Sequence, residues 1–375
     1  MSNQIWLNCL VLRRGAAVLA LAAAVALLGS STVLAQGYGE TTSSTGESAN
    51  AAEDDSSRGN EPGTGVARPG ELFDTREQFV PPSELPIVDV YVKDLREMTS
   101  AEIAQELEAV TITPEGVVEI LPPTSEEIGA FMDMLSELEV QDAFEADLGS
   151  SDLMDGEITA ESVIGPDTRV RIHNTTRYPF RTVGRIDIGC TGTLIGSRYV
   201  LTAGHCVYNI RNDKWYSRLN FSPGQNGTQR PYGTIAWKRA ISVKGWTKKH
   251  KRNYDYAMIV LKQDIGNRVG WMAYGWKKPL PKYNVNINGY PGDKPTGTLW
   301  HSYCKLLIIR KHRLYYACDT YGGMSGSGVY VYWKSSNKRI IYGIHAYGVD
   351  STGYNGATRI TKSVFKNLYR WKRTY

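Results

Sequence analysis

From residue 163 to residue 375 the sequence holds no glutamate, although eight aspartates are there. Selection for a basic surface would deplete both acids alike, so the absence has another cause. At equal odds, eight acids without one Glu arise about once in 250 trials, and Glu is among the commonest residues. Histidine is confined to six positions (173, 205, 250, 301, 312 and 345), with no HExxH or His-x-His cluster. That excludes a zincin-type metal helix, and neither a cofactor nor a catalytic metal is expected. Of five cysteines, Cys190, Cys206, Cys304 and Cys318 lie beyond the N-terminal stretch that holds Cys9, and none has a partner at the close spacing of a structural zinc site. Disulfides are the better use of these four, and four cysteines allow three pairings. No heptad persists, which argues against a coiled coil.

Long apolar runs are also lacking. The one strongly apolar stretch, residues 16–28, follows Arg13-Arg14 and precedes Val33-Leu34-Ala35. It is shorter than the ~20 residues of a membrane-spanning helix and has the layout of a secretory signal over residues 1–35. No later segment is long and apolar enough to span. Export without stable membrane insertion is therefore expected, and an exported chain can keep disulfides.

What is present divides by charge. Residues 36–162 carry 30 acids against 5 bases, a net of −25, whereas residues 163–375 carry 8 acids against 36 bases, a net of +28. Arg13 and Arg14 account for the remaining +2 of the overall +5. Within the acidic half, residues 36–70 are rich in Gly, Ser, Thr and acids and are expected to be disordered. Two helices should follow. Thr99 with Glu102 and Thr124 with Glu127 have capping-box spacing, ahead of Ile103, Leu107 and Val110 and of Ile128, Phe131, Leu135 and Leu138. Between them, residues 110–121 read as a hairpin turning at Pro114-Glu115-Gly116. From residue 163 the texture becomes short β-type runs separated by turns, at 183–189, 193–202, 255–262, 285–289, 304–310, 327–333 and 340–347. This spacing predicts an all-β barrel or sandwich. A last helix, with Ser363 as its cap and Val364, Leu368 and Trp371 on one face, closes the chain.

Three local sequences in the β half carry chemistry. Leu201-Thr202-Ala203-Gly204-His205-Cys206 puts a His at the end of an apolar strand; Tyr254-Asp255-Tyr256-Ala257-Met258-Ile259 opens a strand with an Asp; Gly322-Gly323-Met324-Ser325-Gly326-Ser327-Gly328 holds a Ser in a glycine-dense turn. A hydroxyl is a poor nucleophile until an imidazole takes its proton, and a buried carboxylate fixes the tautomer of that imidazole. Glycines beside the Ser let backbone N–H groups turn toward the developing oxyanion.

In this order, and in such a context, the three motifs resemble those of the chymotrypsin-fold serine proteases, and residues 163–375 are most similar to the secreted glutamyl endopeptidases. The similarity runs from Val163-Ile164-Gly165 through Cys190-Thr191-Gly192-Thr193-Leu194-Ile195 to Gly343-Ile344-His345 and the final helix. It implies two six-stranded antiparallel barrels with a C-terminal helix, preceded by a small acidic α+β or partly disordered propeptide over residues 36–162. It also implies His205 as general base, Asp255 as its orienting partner and Ser325 as nucleophile, with Gly323 and Ser325 N–H groups forming the oxyanion hole. Cys190–Cys206 and Cys304–Cys318 would be the disulfides. Trypsin-like enzymes have Asp immediately before the nucleophile to receive the new N-terminus; here Met324 stands there, so activation must work differently.

For the pocket, the resemblance points to Thr320 and His345, with Tyr347 and Gly348 on the strand that follows His345 and the freed amine of Val163 as a further element. An imidazole and a hydroxyl suit a carboxylate, and positive charge on the imidazole would strengthen the bond. An enzyme that cuts after Glu and matures among its own copies gains by lacking Glu itself. The expected partners are protein or peptide substrates and the chain's own propeptide, docked by charge as an intramolecular inhibitor. Cleavage at Ser162-Val163, or after Glu161 with trimming, would release a monomeric enzyme. The competing expectations are a serine protease of different primary specificity and a non-catalytic cationic binder of polyanions, through Lys248-Lys249-His250-Lys251-Arg252 and Arg310-Lys311-His312-Arg313.

Overall fold

The computed structural model describes residues 99–133 and 161–375. The expected signal (1–35), the stretch 36–70, and Leu135 and Leu138 lie outside the described residues. In the basic half two large sheets wrap into barrels. Spatially, the first runs Phe221–Pro223, Val183–Ile186, Thr191–Leu194, Tyr199–Thr202, Ala257–Leu261 and Trp237–Val243. Phe221 and Ile235 exchange both backbone hydrogen bonds, which brings the last strand round to the first. The second barrel contains Asn284–Gly289, Trp300–Ile309, Arg313–Tyr316, Asn355–Arg359, Lys338–Tyr347 and Gly328–Trp333, closed by Asn286 opposite Tyr330. Two six-stranded barrels thus form, as expected.

The strand Ala257–Leu261 is buried at every position, so it reads as a continuous apolar run rather than an alternation. Tyr256, just before it, stacks on Trp371 of the final helix with ring centroids 5.8 Å apart. The run 193–202 is two strands, because Ile195 N–H donates to Tyr199 at 2.8 Å and turns the chain through Gly196-Ser197. The final helix, Lys362–Thr374, is capped by Thr361, whose hydroxyl accepts the Val364 N–H; Ser363 sits inside the first turn. Both residue types cap well, and the one two positions earlier is used.

Residues 99–133 form the expected helix–hairpin–helix. Thr99 and Glu102 make both bonds of a capping box before the helix Ser100–Leu107. Strands Ala109–Ile112 and Val118–Leu121 pair across a turn in which Gly116 has φ +87° and its N–H donates to Thr113 at 2.9 Å. A second capping box, Thr124 with Glu127, opens a helix over 125–133. Ala109–Ile112 adds to the free edge of Trp237–Val243, so the hairpin extends the first barrel's sheet to eight strands.

Candidate active site

Adjacent strands bring the expected His and Asp together. Tyr199–Thr202 leads into the short turn Gly204–Cys206, and Thr202 lies opposite Ala257, two residues after Asp255. Both loops therefore leave the same end of the sheet. His205 Nδ1 is 2.7 Å from Asp255 Oδ2, and the His205 backbone N–H donates to Oδ1 at 2.9 Å. Both side chains are fully buried, so the carboxylate fixes which ring nitrogen carries the proton. Trp246 packs on the imidazole at 6.4 Å. A side chain at Gly204 would collide with Trp246 at 2.9 Å and approach Asp255 at 3.0 Å.

Ser325 sits in a turn whose shape depends on two glycines. Gly323 (φ +99°) and Gly326 (φ +89°) occupy left-handed backbone, and a Cβ on Gly326 would lie 2.1 Å from the Thr191 carbonyl oxygen and Thr202 Oγ1. Thr191 ties this turn to the first barrel. Its N–H donates to the Ser325 carbonyl at 2.9 Å and its hydroxyl to the Gly323 carbonyl at 2.8 Å. The disulfide Cys190–Cys206 lies beside both Thr191 and His205, and Cys206 Sγ is 3.6 Å from the Ser325 carbonyl oxygen. Cys304–Cys318 closes the second loop. The Gly322 carbonyl accepts from Gly292 N–H at 2.7 Å and the Met324 carbonyl from Ser327. Because trans peptides are planar, the N–H groups of Gly323 and Ser325 are turned away from those partners.

The expected pocket residues fall on two strands that do not pair with each other, Thr320–Tyr321 and Lys338–Tyr347. Thr320 is fully buried, and its hydroxyl oxygen has no hydrogen-bond partner among the described residues. His345 is 3% exposed; its carbonyl accepts from Gly326 N–H at 2.8 Å, which links it directly to the serine turn. Its Nδ1 is 2.7 Å from the Tyr316 hydroxyl. Burial, then the proximity of His205, lowers the His345 pKa to about 3, so this imidazole is neutral and the positive charge considered above is not available. Tyr347 is buried and points elsewhere, its hydroxyl donating to the Arg252 carbonyl at 3.1 Å and its ring lying under the Arg252 guanidinium. Gly348 and Val163 are half-buried.

Sequence reasoning missed Tyr316 and a second group, Asp319. This buried carboxylate accepts Ile164 N–H at 2.8 Å through Oδ1, and Thr168 N–H (2.8 Å) and hydroxyl (2.5 Å) through Oδ2. Farther along the same arm, Arg169 is buried between Asp167 and Asp293, and Lys294 also reaches Asp167 at 2.7 Å. Just upstream, Glu161–Ser162 pairs by its backbone with Thr320–Tyr321. The available signal was scarcity: three of only eight aspartates in this half serve this arm.

Two antiparallel barrels, with a His–Asp pair on one and a glycine-set serine turn of the other tied to it through Thr191, define a serine protease of the chymotrypsin fold. The family described as Trypsin matches residues 169–311, and the chain belongs to it. It is 43% identical to the glutamyl endopeptidase of Bacillus licheniformis over 224 residues, 57% of this chain and 70% of that protein. A Bacillus subtilis protein named extracellular metalloprotease is 38% identical over 221 residues, 56% of this chain and 69% of that one. The metal in that name has no counterpart in the one cluster of ligand-type side chains among the described residues, Cys190, His205 and Cys206, since its two sulfurs are bonded to each other. A solved Glu endopeptidase in complex with MPD superposes with a TM-score of 0.52 at 30% identity, covering 56% of this chain and 99% of that one.

Proposed function

We propose that the chain is an exported zymogen whose residues 163–375 hydrolyse peptide bonds after glutamate. Ser325 Oγ attacks the carbonyl carbon while His205 takes its proton, and Asp255 steadies the imidazolium. The oxyanion is held by the N–H groups of Gly323 and Ser325. His205 then gives the proton to the leaving amine, leaving an acyl-enzyme. Water, deprotonated by His205, releases the acid and restores the serine.

The observation that carries the glutamate preference is the unpartnered, buried hydroxyl of Thr320 beside the serine turn, since a buried donor of this kind favours a ligand that accepts from it. His345 complements it in neutral form. The one Tyr316 hydroxyl proton serves either His345 Nδ1 (2.7 Å) or the Gly356 carbonyl (3.2 Å); when it goes to the shorter contact, the His345 proton sits on Nε2 and can hydrogen-bond a carboxylate. The glutamate-free domain and the named Bacillus relative agree with this preference.

In the precursor, Glu161–Ser162 occupies the edge of the strand that carries Thr320. Residues 36–162 then act as the propeptide, and this strand is its inhibitory part. Cleavage at Ser162-Val163 removes it and leaves the Val163 amine beside a pocket for an anion, with Asp319 holding the arm that follows. Residues 1–35 serve as the signal, and the product acts with a single copy of the protease domain. The polyanion-binding alternative finds less support. In its two basic clusters Arg252 and His312 are buried, and Lys248 and Lys251 are paired with Asp213 and Glu106.

The test is to express residues 36–375, let them mature, and assay peptides with Glu, Asp, Gln, Arg, Phe or Ala before the scissile bond, alongside Ser325→Ala and His345→Ala. Cleavage confined to Glu, lost in Ser325→Ala and relaxed or lost in His345→Ala, is expected. Cleavage after Arg or Phe would overturn the specificity, and no cleavage by a matured chain would overturn the enzyme.

A further inference from the structure

We propose that residues 99–133 stay on the protease domain after the chain is cut, as a non-covalent acidic subunit that completes the sheet of the first barrel. The proposal rests on a cut between residues 133 and 163, not on the glutamate preference. Three independent features point to it. The first is strand addition: Ala109, Val110, Thr111 and Ile112 face Val243, Ser242, Ile241 and Ala240 in antiparallel register. Main-chain pairing of this kind is how extended segments bind an open sheet edge. The second is apolar burial. Ile103, Leu107, Ala109, Val110, Ile112 and Phe131 are all buried, and Phe131 stacks on Tyr254 at 6.5 Å and lies 6.3 Å from His312. They belong to the same continuous core as the first barrel.

The third is charge matching spread along the whole segment. Glu106 pairs with Lys251, Glu108 with Lys244, Glu119 with Arg239 (2.7 Å), Glu126 with Lys366 (2.5 Å), Glu127 with Arg370 (2.8 Å) and Asp133 with Lys362 (3.3 Å). Arg370 also donates to the carbonyls of Leu121 and Pro122. The partners come from residues 239–251 and from the final helix, so the segment bridges two parts of the domain.

Its position also differs from that of a plug. Among the described residues, its named bonds and ion pairs reach neither Thr320 nor Ser325 nor His345. Instead the helix Ser100–Leu107 packs on the turn Lys244–Thr247, where Lys244 N–H donates to the Glu108 carbonyl at 2.8 Å. Trp246 of that turn is the residue packed on His205. The bound segment therefore backs the wall behind the histidine, a place it can keep while substrate is turned over.

The absence of Glu from residues 163–375 makes a clean test. The full-length Ser325→Ala chain is digested with an unrelated glutamate-specific protease, which has no glutamate to cut after in the protease domain. The digest is followed by native mass spectrometry and gel filtration at low salt. Expected is a one-to-one complex of the domain with a fragment containing residues 99–133. Cleavage after Glu106, Glu108 and Glu119 should be at least tenfold slower than in a synthetic peptide of residues 99–133. Leu107→Asp with Ile112→Asp should abolish that protection while the domain keeps its own unfolding transition, and 1 M salt should weaken it without any mutation. A domain that elutes alone, a homodimer lacking the fragment, or a segment consumed as fast as the free peptide would each overturn the proposal.

Discussion

Two pieces of chain that precede and begin the protease domain are held in opposite ways. The acidic segment, residues 99–133, brings its own carboxylates to cations on the barrel, and most of these pairs are partly exposed. The arm over residues 164–171 brings amides and a guanidinium to carboxylates that belong largely to the barrel, and there Asp319 and Arg169 are buried. Exposed pairs are screened by salt and contribute little individually, whereas a buried pair that loses one partner leaves a costly charge. Salt should weaken the charge pairs of the first kind, leaving strand pairing and buried apolar side chains to hold the segment. The second kind is fixed.

The sharpest test of this contrast is on the arm. Asp293→Asn leaves the buried Arg169 with Asp167 and Lys294 alone and should cost about 3 kcal/mol, read as a shift in the urea midpoint of the matured domain. Asp319→Asn should cost about 2 kcal/mol, as expected for losing hydrogen bonds to a charged acceptor. It should also raise KM for glutamyl peptides more than it lowers kcat, because the arm beside the pocket loses its register; equal loss in both would assign Asp319 a purely structural role.

Acid provides the next comparison. The buried His345 has its pKa lowered to about 3, and burial together with Lys311, Arg313 and Arg359 holds His312 well below its usual value. Both charge more readily in the unfolded chain. Their stabilisation is therefore complete above pH 6.5 and declines as pH falls toward their folded values, by about 2 kcal/mol for His345 between pH 7 and 5 and in the same direction for His312. Thermal melts across that range should show it, and His345→Gln should flatten the slope. Asp167, whose pKa is depressed chiefly by its bonds to Arg169, contributes fully above its unfolded value of 3.8 and loses that contribution progressively as pH falls further, so the arm should weaken only in strong acid. The smallest effect is expected from Glu119→Gln, about 0.5 kcal/mol of docking, seen as a modest drop in the salt needed to strip the segment.

How far all this was legible follows from the sequence separation of the contacts. The three motifs are each local, and glycine positions around Ser325 announce an unusual turn, so the candidate triad could be read directly. The barrels were legible from strand spacing, and the capping boxes at Thr99 and Thr124 from four residues each. Asp319 with Ile164 spans 155 positions and Tyr316 with His345 spans 29; nothing local marks either pair. The hairpin itself was visible, and opposite charge predicted docking, but the choice of the Trp237–Val243 edge depends on a register that only the folded sheet defines. The neutral state of His345 was hidden for the same reason. Its burial is a tertiary fact.

Thr191 carries a consequence for motion. With its amide and hydroxyl on the serine turn, and its carbonyl accepting from Thr202 at 2.9 Å, it rivets the second barrel's serine turn to the first barrel's histidine wall. Hinge bending between the barrels would have to break that rivet before the cleft could widen. Under the proposed function, substrates are then admitted by loops and by removal of the upstream strand, while the two barrels keep time together.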